Sequence, residues 1–466
     1  MKIKIENLGV LRYAEMEMGK LTVLCGLNNS GKTYVTYAIY GFLHYWNKIF
    51  KIPIDSDIMN KLIDSGVCEI SARKYADDFS AIIKSACDEY SNQLASVFSA
   101  QRKNFANTSF SLDVDSNEIA ILAEEYSVEV KSANAKTGLK IYKKSKDDNL
   151  TITLFSENGE ARTIPEYIIS DTISNALKKV VFGAVFPSVF IASAERTGAA
   201  IFRKELNFAR NKILETISKN DKEIDPFFLL RQGKSDYAWP VDHNVDFVRN
   251  LESISKNESE LYLQHNSVLA LFSSILGGDY QVTDKDELFF SPHSKSNAKL
   301  RLSMDESSSS VRSLLDIGFY LKHEAKLGDL LIIDEPELNL HPNNQRKMAR
   351  LLTSLVNCGI KIFVTTHSDY ILREINNLIL LNGESPHLMN IVKNEGYNKI
   401  ELIKADDIRI YTACRGAVHI PNNKRKSTAE TLFQVSVDDE YGIHSSSFDE
   451  SINEMNRIAD EIMFGG

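Results

Sequence analysis

The chain has 466 residues, with 54 Lys and Arg against 63 Asp and Glu, giving a formal net charge of −9. That length exceeds one ordinary hydrophobic core and implies two or three lobes. The 43% hydrophobic and 25% charged content is that of a soluble globular protein, and the acidic balance excludes a surface that grips nucleic acid everywhere, though not a local basic groove. No apolar run is long enough to span a bilayer, and the opening Met-Lys-Ile-Lys-Ile-Glu alternates like a strand, without the continuous apolar centre of a leader.

Residues 2–6 and 14–18 alternate with period two, and 21–25 is an apolar, β-prone run suited to a central strand. Gly26-Leu27-Asn28-Asn29-Ser30-Gly31-Lys32-Thr33 follows at once, before a helical stretch over 34–46. This is the strand–GxxxxGK[ST]–helix context of a phosphate-binding loop. Its glycines let successive backbone N–H groups face one phosphate chain, the helix N-terminus adds a positive dipole end, Lys32 reaches the β/γ-phosphates and Thr33 ligates Mg²⁺.

Residues 51–125 read as a mostly helical insertion whose mixed charges are solvated faces. The period then changes: 127–130, 139–142 and 150–155 are short alternating runs, an antiparallel meander. After a helix over 165–179, a strand at 189–193 delivers Ala194-Glu195-Arg196-Thr197-Gly198 to a loop. Residues 199–219 suit a basic helix, 237–244 a turn-rich loop and 246–276 a helix; sustained heptads and fixed repeats are absent from the sequence. Strands at 287–290 and 299–304 lead to Ser307, Ser308, Ser309 and Ser310, and apolar residues at 311, 314, 315, 318 and 321 suit an amphipathic helix behind them. The serines fit a helix cap, a low-complexity linker or an anion site.

Leu330 to Ile333 make a run short enough for a buried strand, which brings Asp334 and Glu335 to its end before Pro336 stops it. Two adjacent acids there are either a solvated acidic turn or a site where a cation or polarised water relieves their repulsion. After a helix over 342–356, a second buried strand, 361–366, ends in His367 and Ser368; parallel to the first, it brings His367 to the same edge as the glycine loop and both acids. Short strands at 378–381, 390–393 and 399–403, a basic segment at 422–426 and a helix over 448–463 complete the chain. Five scattered cysteines (Cys25, Cys68, Cys87, Cys358, Cys414) lack metal spacing and read as reduced core thiols of a cytoplasmic protein.

Taken in order, the Gly26 to Thr33 loop, the four serines before a helix, the strand ending in Asp334-Glu335-Pro336, and Thr366-His367-Ser368 resemble the ABC-type ATPase heads of the SMC/RecF/OLD group. They look nearest to stand-alone AAA-family ATPases of bacterial anti-phage systems (OLD-like, Septu- and PARIS-type). The resemblance implies an α/β P-loop NTPase fold: an ABC-type head with a mixed core sheet, an antiparallel β-subdomain and a largely helical insertion. It divides the chain into a split head (1–50 and 280–420), an insertion (51–125), the meander with a strand returning to the head (126–200), a helical segment (201–279) and a C-terminal extension (421–466).

It also implies roles. Gly26 through Thr33 would bind ATP, with Thr33 and Asp334 holding Mg²⁺. Glu335 would be the general base and His367 the γ-phosphate contact. Ser307, Ser308, Ser309 and Ser310 would act as a signature loop on a partner head's nucleotide, and 337–341 would lie at that interface. Two departures stand out: Ser310 occupies the expected signature glycine, and only Gln93 and Gln101 offer a Q-loop glutamine. The implied function is an ATP-hydrolysing sensor-regulator of a separate effector, a nuclease or toxin, in anti-phage defence. It would work as a homodimer or higher oligomer through its heads, without a membrane and with nucleic acid an open partner. A RecF/SMC-like repair or chromosome ATPase on duplex DNA, and an ATP-binding scaffold with little turnover, are the alternatives.

Overall fold

A computed structural model describes residues 1–131, 137–156, 164–203, 237–283, 287–293, 300–418, 427–444 and parts of 454–462. Its centre is a nine-stranded mixed sheet. In chain order the strands are β1 (Lys2–Leu8), β2 (Leu11–Glu17), β3 (Leu21–Gly26), β5 (Ser109–Asp113), β9 (Val189–Ala192), β13 (Leu330–Asp334), β14 (Lys361–Thr366), β15 (Ile408–Val418) and β16 (Ser427–Val435). In space they run β5-β1-β2-β16-β15-β3-β14-β13-β9. The half from β15 to β9 is wholly parallel, while β1 is antiparallel to both β2 and β5.

Strands β3, β9, β13 and β14 are buried along almost their whole length because both faces are covered. Side chains alternate between two cores. Leu24 and Ile332 face one that includes the helix Lys32–Lys48, whereas Val23 and Ile333 face one that includes the helices Pro342–Asn357 and Asp369–Leu380. Trp46, 1% exposed, anchors the first helix, its ring centroid 4.5 Å from that of Phe186.

Smaller sheets flank this one. The meander is present as β6 (Tyr126–Lys131), β7 (Thr137–Lys143) and β8 (Asn149–Ser156), extended by β4 (Val67–Ser71) from within the insertion. A three-stranded sheet holds β10 (Gly278–Val282), β11 (Leu288–Pro292) and the two-residue β12 (Leu302–Ser303), much shorter than the run expected at 299–304. The insertion is helical apart from β4 and β5, and β5 brings it back to the central sheet.

Several expectations give way. Residues 237–244 open the helix Trp239–Arg249, with Pro240 in its first turn, where a missing N–H costs nothing. The span 246–276 is divided among that helix, a turn at Leu251–Ile254 and the helix Glu260–Leu276. The apolar runs at 378–381 and 390–393 belong to the helices Asp369–Leu380 and Pro386–Asn394, whose N-caps, Ser368 and Ser385, accept from Ile371 N–H and Leu388 N–H. Residues 399–401 form a 3-10 turn closed by an Asn398–Glu401 capping box. Four-residue apolar windows do not separate strand from helix, and the caps decide the matter.

Residues 427–435, within the expected C-terminal extension, are a strand of the central sheet. The basic segment at 422–426 and most of the helices expected at 199–219 and 448–463 lie outside the described residues. Among the described residues no helix is long and apolar enough to cross a membrane. All five cysteines are free, and four of them are buried.

Candidate active site

The carboxyl edge of the parallel half gathers the residues singled out from the sequence. Thr365 lies opposite Asp334, and Thr366 opposite Cys25. Because β14 runs between β3 and β13, His367 emerges between the glycine loop and the Asp334–Glu335 pair.

At the loop, Gly26 has φ 138° and an added Cβ would lie 2.4 Å from the Ala413 carbonyl oxygen of β15. Asn29 (φ 62°) and Gly31 (φ 99°) are also left-handed, the latter as the N-cap of Lys32–Lys48. Leu27, Asn28 and Asn29 are exposed, as is Thr33, while Ser30 is buried with its hydroxyl donating to Leu27 O at 2.8 Å. Lys32, 6% exposed, donates from Nζ to Gly26 O (3.0 Å) and Leu27 O (2.8 Å), which leaves one of its three N–H bonds for a ligand. Burial pushes its pKa down, against the pull of Glu335 and Asp334.

Asp334 is 2% exposed. Its Oδ1 accepts a short hydrogen bond from Thr365 Oγ1, and its buried Oδ2 has no hydrogen-bond partner among the described residues. Burial pushes its carboxyl up to about 6; the Thr365 bond opposes this, Glu335 and Glu195 add to it, and Arg196 draws it down. Glu335 has a left-handed backbone (φ 54°), a conformation that costs an L-residue about 1–2 kcal/mol. The cost is met locally: its N–H donates to Thr365 O and Oγ1, both at 3.2 Å, and its carbonyl accepts from Arg196 Nη2 at 2.9 Å. Its Oε1 pairs with His367 Nε2 at 3.1 Å, and both side chains remain about one-third exposed (33% and 30%). A carboxylate so oriented yet open to water has the geometry a general base needs.

Glu337 accepts at Oε1 from Thr366 Oγ1 (2.9 Å) and His367 N–H (2.7 Å), while its buried Oε2 has no hydrogen-bond partner among the described residues. Burial raises its pKa against those bonds. His341 caps the helix Pro342–Asn357, with Nδ1 accepting from Asn343 N–H.

The serine segment is built differently from the expected long helix. Ser307 is buried and donates from Oγ to Ser303 O; Ser308 is the N-cap, accepting from Val311 N–H and pairing with Ser310 Oγ at 2.8 Å; Ser309 is exposed. The helix Ser309–Ser313 stops at Leu314, beside the Ser313 carbonyl that Arg196 occupies, and resumes as Leu315–Phe319 and a π turn at Tyr320–Glu324. Ser313 Oγ donates to Leu338 O at 3.1 Å, tying this segment to the stretch after Glu335. Gln93 and Gln101 merely begin short helical turns, Leu94–Val97 and Arg102–Phe105.

Sequence reasoning left the loop after β9 without a role. Glu195 accepts from Tyr37 Oη on the first helix at 2.7 Å. Asn244, fully buried, holds the end of this edge strand, accepting from Ser193 N–H and donating to Ile191 O. Thr365, which bonds the Asp334 carboxylate, went unremarked because a threonine in a strand is ordinarily only β-prone.

Residues 1–372 match the family described as AAA ATPase domain. The chain belongs to that family. Its members are ATP-binding ATPases, and the described topology is that of an α/β P-loop NTPase head. No curated protein matches the chain. Among solved structures it is similar to an SMC head bound to the C-winged helix domain of ScpA, with 9% identity, 93% of this chain and 97% of that one covered, and a TM-score of 0.34. It is also similar to the SMC head domain from Thermotoga maritima (11% identity, 80% and 90% covered, TM-score 0.27). A third likeness is to the Smc head with an extended coiled coil from Pyrococcus furiosus, bound to the C-terminal domain of ScpA (11% identity, 99% and 98% covered, TM-score 0.30).

The residues present fit a nucleotide-bound Mg²⁺. Among the described residues no three His, Cys, Asp or Glu side chains form a metal cage; an ion bound with a nucleotide would need only one carboxylate, a hydroxyl, water and the substrate's phosphates. The buried Asp334 Oδ2, without a hydrogen-bond partner among the described residues, and the exposed Thr33 would supply the protein's share.

Proposed function

We propose that this family member hydrolyses ATP to ADP and phosphate at the carboxyl edge of its parallel strands. The observation that carries the reading is the placement of Glu335, with its backbone pinned on both sides and its carboxylate paired to His367 yet open to water. Backbone N–H groups of Gly26 through Thr33 and the Lys32 ammonium hold the phosphates. Glu335 orients a water and takes its proton as the oxygen attacks the γ-phosphorus. The bond from that phosphorus to the β-phosphate oxygen breaks, and the electron pair leaves with ADP. His367 contacts the γ-phosphate. Thr33 and Asp334 would hold Mg²⁺, which would supply positive charge against the negative charge building on the phosphate oxygens.

The same reading gives the segment of Ser307, Ser308, Ser309 and Ser310 a role against the nucleotide of a second copy, so that ATP joins two heads. The physiological role we propose is control of a separate effector in anti-phage defence; the overall likeness of the sequence to stand-alone AAA-family ATPases of such systems supports it, whereas the order of motifs supports the ATPase reading.

Purified protein should release phosphate from ATP in a magnesium-dependent way and bind ATP in preference to AMP. Absence of turnover with ATP still bound would leave the scaffold reading. The wider role predicts an effector that co-purifies in an ATP-dependent way, whereas partner-free duplex-DNA binding that strengthens as salt falls would favour a repair ATPase.

A further inference from the structure

The geometry points to Arg196 as a positioning residue that ties the serine-segment helix to the backbone of Glu335; this rests on the ATPase reading above. The side chain is 1% exposed and spans three parts of the molecule. Nε donates to Ser313 O (2.7 Å), Nη1 to Ser193 O (2.8 Å) and Asp334 O (2.7 Å), and Nη2 to Glu335 O (2.9 Å). Four of the five N–H bonds of one rigid, planar fork are thus spent on backbone carbonyls from the β9 loop, the serine-segment helix and the end of β13. No carboxylate takes part in this set of bonds. Burial lowers the guanidinium pKa, and the foremost charge acting against burial is Asp316, itself 1% exposed with both carboxyl oxygens unbonded among the described residues.

The linkage closes on itself. Ser313 gives its carbonyl to Arg196, and its hydroxyl is shared between Leu338 O (3.1 Å), three residues beyond Glu335, and Ser310 O of its own helix (3.0 Å). A displacement of the serine-segment helix is therefore carried by two separate bonds to the two ends of the stretch that bears the base. Thr365 holds the N–H side of the Glu335 backbone, and the carbonyl side is held through Arg196, so the aim of Glu335 at a water depends on that helix being in place. The device makes hydrolysis, rather than ATP binding, answer to the position of the serine segment.

A lysine cannot replace the fork, because its three tetrahedral donors cannot serve four carbonyls. Arg196→Lys and Arg196→Met should retain affinity for a fluorescent, non-hydrolysable ATP analogue within about threefold while kcat falls about a hundredfold, the cost of a small misplacement of a reacting group. Ser313→Ala, which removes the hydroxyl shared between Leu338 O and Ser310 O and leaves the bond to Arg196, should move kcat in the same direction by less and decides the matter if the Arg196 variants fail to fold. Amide exchange on the unliganded protein reads the linkage without catalysis: Arg196→Lys or Ser313→Ala should speed exchange at Glu335 and Leu338. Absence of turnover in the wild type would overturn the ATPase reading alone. Unchanged exchange, a kcat within about threefold of wild type, or a kcat loss matched by lost nucleotide affinity would each overturn the linkage.

Discussion

Replacing Thr365 by valine keeps the shape of a fully buried side chain and removes one hydroxyl. That hydroxyl donates to Asp334 Oδ1 and accepts from Glu335 N–H. The Glu335 N–H keeps its second acceptor, Thr365 O, so the loss falls on Asp334, whose Oδ2 is already unpartnered. A hydrogen bond to a charged group contributes about 1.5–3 kcal/mol, and at 1.36 kcal/mol per pH unit its removal raises the Asp334 carboxyl by about one to two pH units. In the wild type that carboxyl sits at about 6. The sign follows directly: the Thr365 bond favours the carboxylate, so without it the proton is held to higher pH. The acid limb of kcat/KM, which reports the free enzyme, should therefore move up in Thr365→Val. Activity near pH 7 should drop and recover towards wild type at pH 9. Stopped-flow phosphate release across pH 5.5–9.5, with denaturant unfolding at neutral pH as control, measures both effects. An unmoved acid limb, or a drop of the same size at every pH, would refute the reasoning.

Gly26→Ala should abolish ATP binding and lower stability by more than about 1 kcal/mol, since it forces a positive φ and a backbone contact with Ala413; titration calorimetry and a urea melt check this. Lys32→Met removes a buried ammonium whose charge is disfavoured there, so ATP affinity should fall at least about tenfold while the melting temperature stays within about 3 °C of wild type. His243 packs against Tyr40, Phe190 and Phe247, its Nε2 unpartnered, and burial, then His44 and Lys48, push its pKa down from 6.5 to about 4. Between those values the unfolded chain holds the extra proton, so this stability is complete above pH 6.5 and is lost as pH falls towards 4, roughly 3 kcal/mol in all. Asp316, raised by burial to about 7, acts in the opposite sense, losing stability as pH rises. The test is accordingly the difference between wild type and His243→Phe in unfolding free energy at pH 5 and pH 7.5, with the variant gaining on the wild type at pH 5.

The gathering of the candidate site residues at the sheet edge was legible in the sequence because each motif there is local. A strand, a glycine loop and a helix start specify a phosphate cradle within a few residues, and the runs before Asp334 and His367 are too apolar to be anything but buried. Parallel strands then bring the three ends together with no further information. What could not be read is the set of links across long separations. Nothing near Arg196 says that its acceptors are Ser313, Asp334 and Glu335, and backbone carbonyls leave no trace in side-chain identity. Strands β15 and β16 escaped notice because their burial is irregular, with Arg415 and Gly416 interrupting the alternation. The helix expected to run unbroken from Val311 to Leu321 has the right apolar spacing. Its break at Leu314 coincides with a tertiary contact, the guanidinium at Ser313 O.

Glu335→Gln bears most directly on the central claim, since it keeps the size of the side chain and its capacity to pair with His367 while removing the base. Under single-turnover conditions with magnesium, the variant should bind ATP with affinity close to wild type, accumulate as an ATP-joined dimer in size-exclusion chromatography, and lose about 100- to 10,000-fold in rate. Hydrolysis at the wild-type rate by a Glu335→Gln protein that binds ATP normally would contradict the account.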